Sequence, residues 1–151
     1  TLGCISADTA TNDRARERVE GIWAAMRDAG LDPDTLQVVE TAYSIENGEA
    51  AFQQLMSGTN PPTAVMCGND VLAVGALRAA ANLGLKVPGD VAITGFDNIE
   101  LAFVAPVPLT TVHVPHRRMG QLAARALIDA LHGRSPESVE LPTEVRHRDT
   151  L

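Results

Sequence analysis

An α/β fold, a three-layer doubly wound sheet with a parallel core, is what this sequence predicts, and three observations carry that prediction. Short apolar or β-branched runs recur at residues 2–6, 36–43, 63–67 and 91–96. Stretches with helical apolar spacing separate them, and this alternation marks strand–helix–strand units. The connections are long enough for right-handed crossovers between parallel strands.

Each element follows from its residues. The strand at 2–6 opens the chain directly, which reads as an excerpt of a longer protein. A polar loop at 7–11 leads to Thr11, Asn12 or Asp13, any of which can cap the next helix. There Ala15, Val19, Ile22, Trp23 and Met26 form one apolar stripe that ends at Gly30. Arg18 lies at the margin of the stripe, within reach of the strand ends. After the second strand Ser44 caps a helix through Ala50, Phe52, Leu55 and Met56, stopped at Gly58. Asn69 caps a helix over residues 71–83, closed by Gly84.

Beyond Asp97 the rhythm changes. A single helical turn is expected at 99–103, then Pro106 and Pro108 interrupt the chain before a strand at 109–113. Pro115 opens a helix to His132 whose Met119, Leu122, Ala123, Ala126, Leu127, Ala130 and Leu131 make a broad apolar stripe. The strand at 139–147 contains Pro142 and is expected at a sheet edge.

Composition narrows the function. Twelve Lys and Arg face 19 Asp and Glu for a net charge of −7, which argues against this segment gripping a phosphate backbone. The basic runs 14–18 and 116–118 read as solvated helix faces. Cys4 and Cys67 fall in strands without metal-like spacing and read as reduced core thiols of a cytoplasmic protein. No apolar run approaches the ~20 residues of a membrane span, and no metal or cofactor is called for.

The residues just beyond the strands define a candidate site. Asp8, Tyr43, Asn69 and Asp97 end successive strands, and parallel topology puts them on one rim, where open α/β sheets hold small molecules. Arg18 can join them from the first helix. Together they offer carboxylate acceptors, an amide, a bidentate cation and an aromatic face, suited to a polyhydroxylated or heteroaromatic solute. Asn69 can serve as cap and contact at once.

Several blocks bring a family into view. The stretch Asn12-Asp13-Arg14-Ala15-Arg16-Glu17-Arg18-Val19-Glu20-Gly21 resembles the N-x-R-A-x-x-R-x-x-G segment of the lactose/galactose repressor (LacI/GalR) family. So do Pro62 through Asp70, Gly75-Ala76-Leu77-Arg78, Val87-Pro88-Gly89-Asp90-Val91, Gly95-Phe96-Asp97-Asn98 and Pro108 through Val112, followed by Gly120 and Ala123, all in order. The resemblance implies a periplasmic-binding-protein-like (type I) lobe of an incomplete two-lobed clamp. Residues 1–112 and 133–151 would form the lobe, and 113–132 would return to the missing first lobe. It implies effector contacts at Arg18, Tyr43, Asn69 and Asp97, with a sugar or nucleobase as ligand. It also implies a homodimer through Val71, Ala73, Val74, Ala76, Leu77, Ala80, Ile99 and Phe103, and operator DNA bound only through an absent N-terminal head.

Two other classes remain at this point. A periplasmic solute-binding protein shares the architecture, and the upstream sequence would separate it from a regulator. An enzyme would need Cys67 with one of His113, His116, His132 or His147, yet no phosphate loop, metal-ligand cluster or nucleophile elbow accompanies them. No catalytic residue is therefore assigned.

Overall fold

The alternating pattern becomes β1 (Leu2–Ser6), α1 (Asp13–Asp28), β2 (Gln37–Glu40), α2 (Ile45–Met56), β3 (Ala64–Cys67), α3 (Asp70–Asn82), β4 (Ala92–Asp97), α4 (Leu101–Val104), β5 (Thr110–His113), α5 (His116–Leu131) and β6 (Glu144–Arg146). This is a computed structural model, and it describes all 151 residues. Three helices start on side-chain caps. Asn12 accepts from the Ala15 N–H, Ser44 from Asn47 and Asn69 from Leu72. Each such cap satisfies a backbone donor the helix leaves open, a contribution of about 1 kcal/mol.

The strands form one sheet in the order β2-β1-β3-β4-β5-β6. The first five are parallel and β6 runs antiparallel on the edge beside β5. The step from β1 to β2 goes one way across the sheet and all later steps go the other. Right-handed crossovers therefore put α1 on one face and α2, α3 and α4 on the opposite face. Strand parity agrees. Ile5, Val65 and Ile93 join Phe52, Leu55, Leu72 and Ala76 in one buried cluster. Leu2, Cys4, Met66, Thr94, Phe96 and Val112 point to the α1 side, where they and the helix enclose a cavity of about 480 Å³.

Helices α2 and α3 meet almost backbone to backbone. A Cβ built on Gly75 would lie 2.1 Å from the Ile45 carbonyl oxygen, and one on Gly48 would lie 2.4 Å from that of Leu72. This corrects the expected interface. Ala73, Ala76 and Ala80 are 0 % exposed, so these three have no surface left for a second chain, while Leu77 keeps 5 % and Val74 9 % of its surface. The close approach that small residues allow is made inside the chain, to α2 and the sheet. Val71 and Ile99 are half-buried and Phe103 is 57 % exposed, so these three remain accessible.

Two further departures are local. The second strand covers only Gln37–Glu40 of the expected 36–43: Leu36 closes a 3₁₀ turn at Pro33–Thr35, capped by Asp32, and the chain leaves the strand after Glu40. The last strand covers only Glu144–Arg146, two residues beyond Pro142.

Candidate ligand-binding site

The strand ends of β3 and β4 and the second turn of α1 meet at one place. Arg18 donates from Nη1 to the Gly68 carbonyl oxygen at 3.0 Å, and its guanidinium stacks 4.1 Å from the centre of the Phe96 ring. Gly68 precedes Asn69 and Phe96 precedes Asp97, so one side chain bridges the two blocks. Register continues this pairing. Met66 lies opposite Thr94, which brings the residues three further on, Asn69 and Asp97, to the same rim.

Asn69 divides its amide between two tasks. Its Oδ1 accepts from the Leu72 N–H at 2.9 Å, while the amide nitrogen makes no hydrogen bond within the chain. Two donors are thus left for a ligand.

Asp97 has φ 105° and Asn98 φ 57°, both in the left-handed region that non-glycine residues rarely adopt. Holding such a conformation costs about 1–3 kcal/mol, and it concentrates at ligand-contact positions. The Asp97 carboxylate has no hydrogen-bond partner in the chain. Burial raises its pKa, and the neighbouring Arg18, His116 and Arg14 pull it back. A half-buried carboxylate without a donor, ringed by cations, is a ready acceptor for ligand O–H or N–H groups.

Behind the rim lies Asp70, 0 % exposed. It accepts from Thr111 Oγ1 at 2.5 Å and from the Ile99 N–H at 2.8 Å. Burial raises its pKa, opposed by those hydrogen bonds. It thereby ties the start of α3 to β5 and to the segment after Asp97.

The other two expected residues are placed differently. Asp8 is exposed and closes its own loop, accepting from the Ala10 N–H and from Thr11 Oγ1, and these bonds lower its pKa. Tyr43 is 41 % exposed in the segment after the edge strand β2. Three strand spacings, about 14 Å, separate β2 from β4. The structure therefore brings Arg18, Asn69 and Asp97 together, and neither Asp8 nor Tyr43 is hydrogen-bonded to any of them.

Sequence reasoning passed over Phe96 as a stacking surface, and Arg14 and His116 as basic groups near Asp97. Arg14 carried a signal, since it lies four residues before Arg18 on the same helix face. His116 carried none. The two thiols are not poised for chemistry. Burial, then Glu40, pushes Cys4 up to about 12, and burial raises Cys67 well above the ordinary thiol range. Neither is a thiolate at neutral pH.

The family model for a periplasmic binding protein-like domain matches residues 1–151. The chain belongs to that family. Among curated relatives, the HTH-type transcriptional repressor CytR of Escherichia coli K12 is 39 % identical over 132 residues, 87 % of this chain. A LacI-family transcriptional regulator from Burkholderia phymatum has the same fold with TM-score 0.90 and 35 % identity, over 99 % of this chain and 55 % of that one. The lac repressor dimer bound to operator and the anti-inducer ONPF aligns with TM-score 0.89 and 26 % identity, over 99 % of this chain and 52 % of that one. Within the periplasmic binding protein-like family, the chain is a LacI/GalR-type effector-binding domain. It spans 38 % of the length of the CytR relative. No helix is long and apolar enough to cross a membrane.

Proposed function

We propose that this chain is the effector-sensing and dimerisation part of a cytoplasmic LacI/GalR-type repressor, and that its ligand is a small sugar- or nucleobase-like molecule. The observation that carries the reading is the Asp97 carboxylate, unpartnered in a left-handed backbone beside Arg18 and the free amide nitrogen of Asn69. In this reading Arg18 and Asn69 donate to ligand oxygens, Asp97 accepts from ligand hydroxyl or ring N–H groups, and Phe96 holds the guanidinium in place by stacking. Tyr43 would offer an aromatic face from the segment after the edge strand, and Asp8 is given no part. The exposed side of Val71, Ile99 and Phe103 would pair two copies. Helix α5 would pack on another lobe of the clamp.

A ligand bound better by one lobe arrangement than by the other shifts the equilibrium between them, and operator affinity through a separate DNA-reading head follows by linkage. Transport fits less well, because the relatives carry repressor names. The test uses the full-length protein titrated with monosaccharides, nucleosides and nucleobases while operator binding is followed. Asp97→Asn should weaken the active ligand by about 10- to 150-fold, the equivalent of ~1.5–3 kcal/mol for a hydrogen bond to a charged group. Unchanged affinity in that variant, or operator binding indifferent to every ligand that binds, would refute the assignment.

A further inference from the structure

A second cation lies behind the rim, and neither the charge pattern nor the site described above makes use of it. Arg148 follows β6 and is half-buried, yet it is in none of the ion pairs of the chain. Its guanidinium instead meets three neutral groups. Nη1 donates to the Leu109 carbonyl oxygen at 2.5 Å, Nη2 donates to Asn98 Oδ1 at 2.6 Å, and the plane lies 4.2 Å from the centre of the Phe103 ring. Five donors in a rigid fork suit such a junction, and an ammonium group does not.

The backbone of Arg148 is itself held. Its N–H donates to Thr110 Oγ1, that hydroxyl donates to the Arg148 carbonyl, and Asp149 donates to the Pro108 carbonyl. Two residues on, the buried Thr150 accepts from Thr110 N–H and from Ile93 N–H. The fork therefore stands on a fixed base between β4 and β5.

The consequence falls on Asn98. Arginine only donates, so the amide oxygen must face Arg148 and the amide nitrogen must face His113, 3.2 Å away at Nδ1. Nδ1 must then accept, which requires the neutral ring protonated on Nε2. Asn98 is thus held from both sides in its left-handed conformation, next to Asp97 and one residue before the Ile99 N–H that Asp70 accepts.

We infer that Arg148 is a positioning residue for the ligand site: it fixes Asn98, and through it the orientation of Asp97, and joins that segment to the exposed turn carrying Phe103. The inference rests on the proposed ligand role of Asp97, and its test has one arm that needs no ligand.

Amide hydrogen exchange in the full-length protein is compared for the native protein, Arg148→Met and Arg148→Lys. The amides of Ile99, Ala102 and Phe103 should exchange at least about tenfold faster in both variants, while those of β1 and β3 keep their native rates. A general loss of stability would speed all of them together. Equal rates at 99–103 in Arg148→Met, or a Lys variant indistinguishable from the native protein, would overturn the inference, the second because charge alone would then suffice. In the ligand arm, D-ribose, D-galactose, cytidine and adenosine are titrated against the three proteins. A ligand weakened at least tenfold by both variants supports the inference, and one bound equally by all three overturns it. If none of the four binds the native protein, the failure counts against the proposed ligand classes, and the exchange rates decide Arg148 by themselves.

Discussion

Helix α3 buries nine of its 13 residues, whereas α5, with 16 residues and the broader apolar stripe, buries none. The first turns differ as much. Asn69 caps α3 and its first residue, Asp70, puts negative charge at the positive end of the helix. Helix α5 begins after Pro115 with no side-chain cap and carries Arg117 and Arg118 at that same end, where cations are disfavoured. Apolar periodicity thus says that a helix has a side to hide, and not what hides it. Helix α3 is covered because its small residues let it sink between α2 and the sheet. Met119, Leu127, Ile128 and Leu131 of α5 stand exposed in this chain.

The contrast can be broken most directly at the α2–α3 contact. Gly75→Val should lower stability by about 3 kcal/mol or more in urea denaturation, because the added atoms have only the Ile45 carbonyl and the Glu49 N–H to enter. A loss under about 1 kcal/mol would mean that the two backbones can part cheaply. Next in size is Leu72→Ala, which empties a fully buried site and should cost about 3 kcal/mol. The same truncation on the other helix, Leu127→Ala, should change stability by no more than ~0.5 kcal/mol in this 151-residue chain. Equal losses at 72 and 127 would show that α5 is packed after all.

Between these extremes lies Asp70. Its folded pKa is raised above the unfolded value, so between the two the folded state holds more protons and stability falls as the pH rises. Stability measured from pH 3 to 7 should therefore drop in the native protein relative to Asp70→Asn across a window that opens near pH 4. A constant difference between the two proteins over that range would mean that Asp70 is not held at a raised pKa.

The sequence made the caps readable because capping is local chemistry. Ser44 and Asn69 do what their residue types indicate, and Asn12 is selected from three adjacent candidates. The parallel, doubly wound architecture followed from the strand–helix alternation and the lengths of the connections, whereas the strand order is set by tertiary packing that no local pattern carries. Small residues such as Gly75 and Ala76 permit the close approach of α3 to α2, but composition does not say which helix lies opposite. For the site, Arg18, Asn69 and Asp97 could be chosen because each stands next to a strand end or one helical turn away. Asp8 looked equivalent by the same rule, and in the structure donors of its own loop engage both of its oxygens. The Asn98–Arg148 contact joins residues 50 positions apart, and no local pattern announces it.

The divided amide of Asn69 constrains how such a pocket can diversify. Its oxygen belongs to the helix and its nitrogen to the cleft, so exchanging it for a new ligand preference also removes about 1 kcal/mol of capping unless Ser, Thr or Asp takes its place. Libraries aimed at altered selectivity should therefore retain few substitutions at 69 and more at position 43, whose side chain makes no hydrogen bond within the chain and caps no helix.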